Sequence, residues 1–311
     1  MSLKIVFMGT PEFAKELLEH LYKKQKYTIK AVYTQPPKKS HRGQQLNLSP
    51  VHKFAQEKKI DVFCPTKFSN EEIDILKKID PDVILVAAYG LILPGEILKI
   101  PGCGSVNVHA SLLPKWRGAA PIQRSIMNGD EKTGISIMKI VDQLDAGPTY
   151  LQSEVKIRRN DTYENVYNSL VELGKSSLDI YFAEHKPFLP MPQDHKLATY
   201  AKKIEKKETQ INFEDSAFIA HKKICAFSPK PGAWFLLNSY KYKIFDTEVI
   251  KEEKINSLNK SKNLIFPFKE DYLIAKKIQK EGKNIMSIED FEKGYSRELE
   301  IIRNKFSKNI N

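Results

Sequence analysis

The chain has few cysteines, and their positions exclude two kinds of protein. Among its 311 residues there are three, Cys64, Cys103 and Cys225, which lie far apart. They form neither an even set for disulfide pairing nor the closely spaced ligands of a zinc site. The histidines also lack the spacing of a metal site. We therefore predict buried free thiols and no bound metal.

The chain also lacks a long hydrophobic run and a dinucleotide-binding motif. It enters the short apolar run 5–8 with no long apolar segment and no small-residue cleavage site after it, so we expect a cytoplasmic protein without membrane contact. The segment Gly9-Thr10-Pro11 after the first predicted strand does not match Gly-x-Gly-x-x-Gly, and a dinucleotide cofactor is not indicated.

The composition is that of a globular protein with a positive charge. Hydrophobic residues make up 41% and charged residues 28%, and the length suffices for two domains with their own cores. The formal net charge is +12. Residues 1–200 carry 27 Lys and Arg against 22 Asp and Glu, whereas residues 201–311 carry 23 against 16. The C-terminal part is thus the more basic, although charge alone supports nucleic-acid binding only weakly.

Apolar periodicity predicts alternating strands and helices in the N-terminal part. The predicted strands are 4–8, 29–34, 82–87, 105–108 and 134–140, and the predicted helices are 11–24, 48–59, 70–79, 120–128 and 162–184. This alternation is typical of an α/β protein with a Rossmann-like, doubly wound, mostly parallel sheet. Such a topology carries no function of its own.

A proline-rich stretch, residues 187–193, separates this part from a second predicted domain. Three prolines make it too stiff for a helix and suit an extended connection. The stretches 233–237, 241–247, 261–268 and 272–278 then predict short strands, which suggest a small β-barrel. We therefore predict a first domain over residues 1–188, a linker over 189–204 and a C-terminal domain over 205–311.

Asn107 and His109 are the first candidate site residues. They stand at i and i+2 of a predicted strand, so both side chains leave the same face. Turn residues 101–104 precede the strand and Pro114 follows it, which puts the pair at an element end where sites of open α/β sheets form. An amide donor beside an imidazole can polarise a carbonyl and move a proton, as acyl transfer requires. A purely structural hydrogen-bonded pair is the alternative.

Asp145 is the third candidate. It lies in the loop 142–148 after the predicted strand 134–140, from which it can approach His109. A carboxylate there could hold the imidazole in one tautomer or collect a proton from an attacking amine through water. The alternative is a turn aspartate with a local hydrogen bond.

Five segments around these residues carry a family resemblance. They are Phe-Met-Gly-Thr-Pro-Glu-Phe-Ala (7–14), Ala-Ala-Tyr-Gly-Leu-Ile-Leu-Pro (87–94), Asn-Val-His-Ala-Ser-Leu-Leu-Pro-Lys-Trp-Arg-Gly (107–118), Asp-Gln-Leu-Asp-Ala-Gly-Pro (142–148) and Pro-Lys-Pro-Gly-Ala-Trp (229–234). In this order, and over nearly the whole chain, the sequence resembles the methionyl-tRNA formyltransferases within the folate-dependent formyltransferase family. The central segment is specific to formyltransferases but does not by itself choose the acceptor.

The resemblance implies a donor, an acceptor and roles for the site residues. The donor would be 10-formyltetrahydrofolate, bound as a substrate, and the acceptor the α-amine of methionyl-initiator tRNA. Asn107 and His109 would donate to the formyl oxygen, and Asp145 would hold His109 and assist removal of the amine proton. The folate is expected along two segments, which comprise Tyr89, Gly90, Leu91, Ile92, Ser111, Leu112, Leu113 and Pro114. Plain core packing is the alternative for each apolar member.

The resemblance also implies an RNA-binding role for two basic segments. The loop 34–43 has two prolines, three cations and a glycine and is expected at the surface. In the family it inserts toward the acceptor stem. The candidate tRNA contacts are Lys38, Lys39 and Arg42 in this loop and Lys206 and Lys207 in the basic segment 202–207. The C-terminal domain would be OB-like and bind tRNA, and the first domain would carry catalysis.

The sequence departs from the family pattern at three positions. Gln44 and Gln45 stand where lysines commonly follow the loop arginine, and Lys230 stands where an aromatic residue is frequent. Fewer cations would weaken the salt dependence of RNA binding. Two other functions stay open: a formyltransferase for a small amine, such as an amino-sugar or a purine precursor, and a catalytically inactive RNA-binding protein. We expect a monomer.

Overall fold

A computed structural model describes residues 2–40, 45–183, 189–257 and 263–307. The chain divides into two compact units, each drawn from three stretches. Unit 1 comprises Met1–Pro121, Thr133–Val155 and Asn168–Lys202, and unit 2 comprises Ile122–Lys132, Lys156–Tyr167 and Lys203–Asn311. Residues 189–202, which the sequence analysis assigns to a linker, thus belong to unit 1.

The elements of the described residues are as follows. The strands are β1 (Leu3–Gly9), β2 (Tyr27–Tyr33), β3 (Lys38–Ser40), β4 (Gln45–Asn47), β5 (Val62–Phe63), β6 (Val83–Ala87), β7 (Ser105–His109), β8 (Arg117–Gly118), β9 (Lys132–Lys139), β10 (Thr149–Lys156), β11 (Tyr200–Ala201), β12 (Ala233–Leu237), β13 (Tyr240–Ile250), β14 (Leu264–Pro267), β15 (Tyr272–Lys280) and β16 (Met286–Ser287). The α-helices are α1 (Glu12–Lys23), α2 (Pro50–Glu57), α3 (Asn70–Ile79), α4 (Gly95–Leu98), α5 (Pro121–Asn128), α6 (Tyr163–Ala183), α7 (Ala217–Phe227) and α8 (Ile288–Ser307). Short 3-10 helices cover His195–Leu197, Lys206–Thr209 and Glu252–Ser257.

Unit 1 is built on a seven-stranded sheet in the order β10-β9-β7-β6-β1-β2-β5. The pairings β1–β2, β1–β6, β6–β7 and β2–β5 are parallel, whereas β9 runs antiparallel to β7. Every residue of β6 is buried, as expected of a central strand covered on both faces. The predicted Rossmann-like, mostly parallel sheet is confirmed.

The topology brings three strand ends to one edge of this sheet. Because β1, β6 and β7 are parallel neighbours, their carboxyl ends at Gly9, Ala87 and His109 lie side by side. Gly9 permits the close approach of α1, since a Cβ there would lie 2.6 Å from the Cβ of Ala14. The Thr10 hydroxyl donates to the carbonyl oxygen of Tyr89 at 2.9 Å and ties the segment after β6 to the end of β1.

Unit 2 contains an antiparallel sheet in the order β12-β13-β15-β14, with β16 paired to β15. Helices α7 and α8 cover it, and Phe227, Phe235, Phe266, Phe291 and Phe306 form much of the buried core. The strand-rich C-terminal part is confirmed. Among the described residues these strands pair as an open sheet, and its closure into an OB-like barrel stays a prediction.

Helix α7 was missed in the sequence because it has no clear polar face. Eight of its eleven residues are buried, including His221 and Lys222. A helix buried on most sides does not show the alternation of apolar and polar stripes by which sequence patterns indicate helices. Strand β10 and helix α8 were missed as well, and α8 is interrupted by the non-helical backbone of Tyr295.

The three cysteines are free, but the prediction that they are buried is correct for only one. Cys225 is buried, Cys64 is half-buried and Cys103 is exposed, in the turn before β7. In the described part of the chain, no helix is both long enough and apolar enough to cross a membrane.

Candidate active site

Asn107, His109 and Asp145 come together at the carboxyl edge of the unit 1 sheet. The Asn107 Nδ2 atom lies 3.4 Å from Asp145 Oδ1, and the His109 Nδ1 atom lies 3.6 Å from Asp145 Oδ2. Asn107 and His109 share one face of β7, as the i, i+2 spacing predicts. One carboxylate therefore faces both the amide and the imidazole.

The loop after β9 folds back to bring Asp145 to this position. The backbone N–H of Lys139 donates to the carbonyl oxygen of Pro148 at 2.9 Å, which closes the loop on its own strand. This closure requires Gly147, because a Cβ there would lie 1.9 Å from the carbonyl oxygen of Lys139. Asp145 itself has φ of 47°, in the left-handed region that aspartate tolerates better than most residues.

A backbone donor holds the Asp145 carboxylate. The N–H of Gly118 donates to Asp145 Oδ2 at 2.8 Å. Only 13% of the Asp145 side chain is exposed, and 7% of that of His109. A carboxylate so enclosed keeps a fixed direction, and its interactions with charged groups are stronger than they would be in water.

Both ring nitrogens of His109 face oxygen atoms. Nε2 donates to the carbonyl oxygen of Trp116 at 2.8 Å, and Nδ1 faces Asp145. Trp116 has φ of 63°, an unusual conformation for a bulky residue. Because the Trp116 carbonyl occupies Nε2, Nδ1 is the ring nitrogen left for a reacting molecule.

The segment after β7 is held in shape by polar contacts within the protein. The Ser136 hydroxyl donates to the carbonyl oxygen of Ser111 at 2.7 Å and accepts from the N–H of Leu113 at 3.1 Å. The Gln152 amide donates to the carbonyl oxygen of Leu113 at 2.8 Å. Ser111 and Leu113 are buried, whereas Leu112 and Pro114 are half-buried.

The second segment predicted to bind folate divides into buried and exposed residues. Tyr89 is buried in the core cluster that also contains Tyr33, and Leu91 packs against that cluster. Burial raises the pKa of the Tyr89 hydroxyl well above its ordinary value. Gly90 is exposed, and Ile92 is 86% exposed. Core packing thus accounts for Tyr89 and Leu91, and the accessible surface belongs to Gly90 and Ile92.

The residues predicted to contact tRNA in unit 1 are described only in part. Lys38 and Lys39 lie on β3, which pairs with β4, and Lys38 is exposed. Arg42 and Gln44 lie outside the described residues.

Lys206 and Lys207 are exposed on a short 3-10 helix of unit 2. An ion pair anchors this helix, because Arg124 binds Glu208 through two nitrogens at 2.6 and 3.0 Å. The hydrogen bond from Arg124 lowers the pKa of Glu208. The Thr209 hydroxyl accepts from the indole N–H of Trp234 at 2.9 Å and fixes the other end. Lys230 is also exposed.

The residues that hold the site together are not indicated by any sequence pattern. Trp116, Arg117 and Gly118 belong to a recognised segment, but no pattern showed that their backbone contacts His109 and Asp145. Gln193 lies in the proline-rich stretch, and nothing in its neighbourhood marks it. In the part of the chain that the structure describes, no group of His, Cys, Asp and Glu residues is arranged to hold a metal ion.

Comparison with known proteins places the chain among formyl-transferring enzymes. A family model described as formyl transferase matches residues 3–179, and one described as formyl transferase, C-terminal domain, matches residues 203–296. The methionyl-tRNA formyltransferase of Pelagibacter ubique is 43% identical over 298 residues, which cover 94% of this chain and 95% of that one. That of a Wolbachia strain from Drosophila simulans is 42% identical over 296 residues, with coverages of 94% and 96%.

Solved structures share the fold at lower identity. An N-formyltransferase from Helicobacter canadensis, in complex with folinic acid and dTDP-3-aminofucose, superposes with a TM-score of 0.65 at 20% identity and covers 89% of this chain and 99% of that one. The methionyl-tRNA formyltransferase from Clostridium thermocellum gives a TM-score of 0.57 at 17% identity, with coverages of 92% and 99%.

Proposed function

This chain belongs to the methionyl-tRNA formyltransferase family, and we propose that it transfers the formyl group of 10-formyltetrahydrofolate to the free amino group of methionyl-initiator tRNA. The product is N-formylmethionyl-tRNA for translation initiation. The observation that carries this proposal is the convergence of Asn107, His109 and Asp145 on one edge of the sheet.

The relatives favour the tRNA acceptor over a small amine. Those that are about two-fifths identical over nearly the whole chain are named methionyl-tRNA formyltransferases. The sugar-nucleotide-binding relative of known structure shares only 20% of its residues with this chain and supports the fold alone. Its complex with folinic acid agrees with a folate donor, which we propose for this chain as well.

Asn107 donates a hydrogen bond to the formyl oxygen, on which negative charge develops during transfer. One amide N–H faces Asp145, and in the described part of the chain no other hydrogen bond of this side chain is present. The second N–H is therefore available to a substrate oxygen. A preorganised donor of this kind is worth about 3 kcal/mol in comparable acyl-transfer sites.

His109 acts through Nδ1, because Nε2 is bound to the Trp116 carbonyl. In its doubly protonated form His109 would donate to the formyl oxygen from Nδ1. Asp145 orients the ring and accepts, directly or through water, the proton that the attacking amine loses. The neutral amine attacks the formyl carbon itself, so no covalent enzyme intermediate is required. The bond from that carbon to the folate nitrogen then breaks, and this nitrogen leaves with the proton that the amine has given up.

The site fits the folate donor on structural grounds. Two irregular segments follow adjacent parallel strands, and together they offer backbone groups and the apolar side chains of Ile92 and Leu112. A flat heterocycle with polar edges needs such a combination. When bound, the folate supplies the formyl carbon. We propose that Gly90, Ile92, Leu112 and Pro114 contact it and that Tyr89, Leu91, Ser111 and Leu113 hold the segments in shape.

We propose that two groups of basic residues contact tRNA. The proposed contacts with phosphates and with the acceptor end are Lys206 and Lys207 on their anchored 3-10 helix, together with Lys38, Lys39 and Arg42 of the basic segment 34–43. The family models on residues 3–179 and 203–296 support a catalytic domain near 1–188 and a tRNA-binding domain near 205–311.

We further propose that the protein works as a cytoplasmic monomer. All three catalytic candidates come from one chain, and charged initiator tRNA is used in the compartment where translation begins. Sedimentation of the purified protein with and without tRNA measures the oligomeric state. A stable dimer in both samples would contradict the monomer.

Incubation of the protein with 10-formyltetrahydrofolate and charged initiator tRNA tests the function. We expect a methionine whose amine is blocked, detected after hydrolysis of the ester by its failure to react with amine reagents. Uncharged tRNA and a dTDP-amino-sugar serve as alternative acceptors and should stay unmodified. Formylation of the amino-sugar but not of the tRNA would replace this proposal with a small-amine formyltransferase.

A further inference from the structure

Two residues beside the site have left-handed backbone conformations, and one later segment holds both. Trp116 has φ of 63° and Asp145 has φ of 47°. The hydroxyl of Thr199 accepts from the N–H of Trp116 at 2.9 Å. The amide of Gln193 donates to the carbonyl oxygens of Asp145 at 2.9 Å and of Gly147 at 2.6 Å. Residues 193–199 therefore support the backbone on both sides of His109.

Gln193 uses all the hydrogen-bonding capacity of its side chain. Its NH₂ group donates to the two carbonyls of the Asp145 loop, and its oxygen accepts from Arg117 Nε at 3.1 Å and Arg117 Nη2 at 2.6 Å. A glutamine amide offers two donors and two acceptor sites, and here each has a partner. Because a guanidinium only donates hydrogen bonds, the atom of Gln193 that faces Arg117 must be the amide oxygen, and the NH₂ group must face the two carbonyls. Gln193 is 8% exposed.

Arg117 connects this amide to the residues that contact the catalytic side chains. It lies between Trp116, whose carbonyl accepts from His109, and Gly118, whose N–H donates to Asp145. Arg117 is 1% exposed. Its guanidinium donates to two uncharged partners, the side-chain oxygen of Gln193 and Nδ1 of His195. No carboxylate pairs with it in the described part of the chain.

A buried cation bound to a neutral amide polarises that amide. The guanidinium draws electron density to the Gln193 oxygen and strengthens the N–H groups that hold the Asp145 and Gly147 carbonyls. The Gln193 side chain is thus hydrogen-bonded to Arg117 of β8 through its oxygen and to the Asp145 loop through its NH₂ group. A misplacement of about 1 Å in a reacting group can lower the rate about 100-fold.

We propose that Gln193, held by Arg117, is a positioning residue that sets the backbone of Asp145 and thereby the direction of its carboxylate during formyl transfer. This rests on the proposed role of Asp145. The stretch that the sequence analysis treats as a linker is then part of the catalytic apparatus. Through β11 it also pairs with β8, which consists of Arg117 and Gly118.

The Gln193→Met variant tests this proposal, because methionine has a similar length and no hydrogen bonds. We expect kcat to fall 10- to 100-fold while KM for tRNA and for the folate donor changes less than about twofold. The matched control is Gln279→Met, since Gln279 also donates to a backbone carbonyl, that of Lys283, but on the exposed end of β15. That control should keep full activity. A change in KM without a change in kcat would overturn the proposal.

The Gln193→Glu variant should change the pH dependence of kcat, which a purely structural role of Gln193 would leave unchanged. Its carboxylate keeps the pair with Arg117 but turns an oxygen toward the carbonyls of Asp145 and Gly147. Protonation restores one donor, so we expect the kcat of this variant relative to the unmutated protein to rise as pH falls. A ratio independent of pH would contradict the proposal. This measurement also decides the question if the methionine variant does not fold.

A double-mutant cycle shows whether Gln193 acts through Asp145. In single-turnover assays with excess enzyme, Gln193→Met should lower the rate of formyl transfer by less than about twofold in the Asp145→Asn background. An equal loss in both backgrounds would mean that Gln193 acts elsewhere. Near-normal turnover of Asp145→Asn alone would instead defeat the proposed mechanism. An inactive Asp145→Asn beside a fully active Gln193→Met would defeat only the present inference.

Discussion

Asp145 Oδ2 accepts a hydrogen bond of 2.8 Å from the backbone N–H of Gly118, which precedes it by 27 residues. Because the donor belongs to the backbone, the position of β8 helps to fix the direction of this carboxylate. The other oxygen, Oδ1, is left to face Asn107.

Replacing Asn107 with alanine should lower kcat for formyl transfer about 100- to 1000-fold, which corresponds to the loss of one preorganised donor to the developing charge. Asn107 is only half-buried, so the thermal unfolding midpoint should stay close to that of the unmutated protein. Stopped assays with charged initiator tRNA and calorimetry measure the two quantities. Near-normal turnover would remove Asn107 from the mechanism.

Two amide substitutions of His109 can tell which ring nitrogen reacts. The amide of asparagine lies near the position of Nδ1, whereas that of glutamine lies near Nε2 and can still donate to the Trp116 carbonyl. If Nδ1 meets the substrate, His109→Asn should retain several-fold more activity than His109→Gln, and both should fall far below the unmutated protein. Single-turnover rates compare the two variants. The reverse order would assign the reaction to Nε2.

Arg42→Ala should raise the KM for charged initiator tRNA with little change in kcat at saturating tRNA. The reason is that a guanidinium that binds phosphates or stacks on a base supplies affinity rather than chemistry. Initial rates over a range of tRNA concentrations, at two salt concentrations, measure the effect. Gln44→Ala is the neighbouring neutral control and should change neither constant. A fall in kcat alone would place Arg42 near the reacting atoms instead.

His221 should make the stability of the protein depend on pH. It is 1% exposed, and burial lowers its pKa below the ordinary value of 6.5, while a hydrogen bond to the Arg159 carbonyl opposes that shift in part. The unfolded chain therefore binds a proton more readily than the folded one. The stability that neutral His221 provides is present above pH 6.5 and decreases as pH falls toward its folded-state pKa.

Urea unfolding between pH 5 and 8 measures this effect, with about 1.4 kcal/mol expected per unit of pKa difference. His221→Gln removes the titrating group, so its free energy of unfolding should decrease less between pH 7 and 5 than that of the unmutated protein. The variant is expected to be less stable at pH 7 because the bond to Thr247 is disturbed. Parallel curves for the two proteins would be the contrary result.

Local pattern was sufficient for much of the fold. Helix α3 and strand β12 have the bounds that the sequence predicts, and Asn107 and His109 share one face of β7. These features depend on residues that are close in the chain: Ser69 caps α3 and alternation defines the strand face. The motif around Asn107 likewise lies in one continuous segment, and for this reason the formyltransferase family could be recognised from it.

The features that no sequence pattern indicates depend on contacts between distant segments. Asp145 and Gln193 are 48 residues apart, and no local preference of either residue indicates that the amide of one binds the carbonyl of the other. Packing between distant segments also determines three other features: the burial of Arg117, the hydrogen bond of His109 Nε2 and the exposure of Cys103. Sequence period and motif specify which chemical groups are present and which face they share. The direction in which a carboxylate points is specified by the chain that surrounds it.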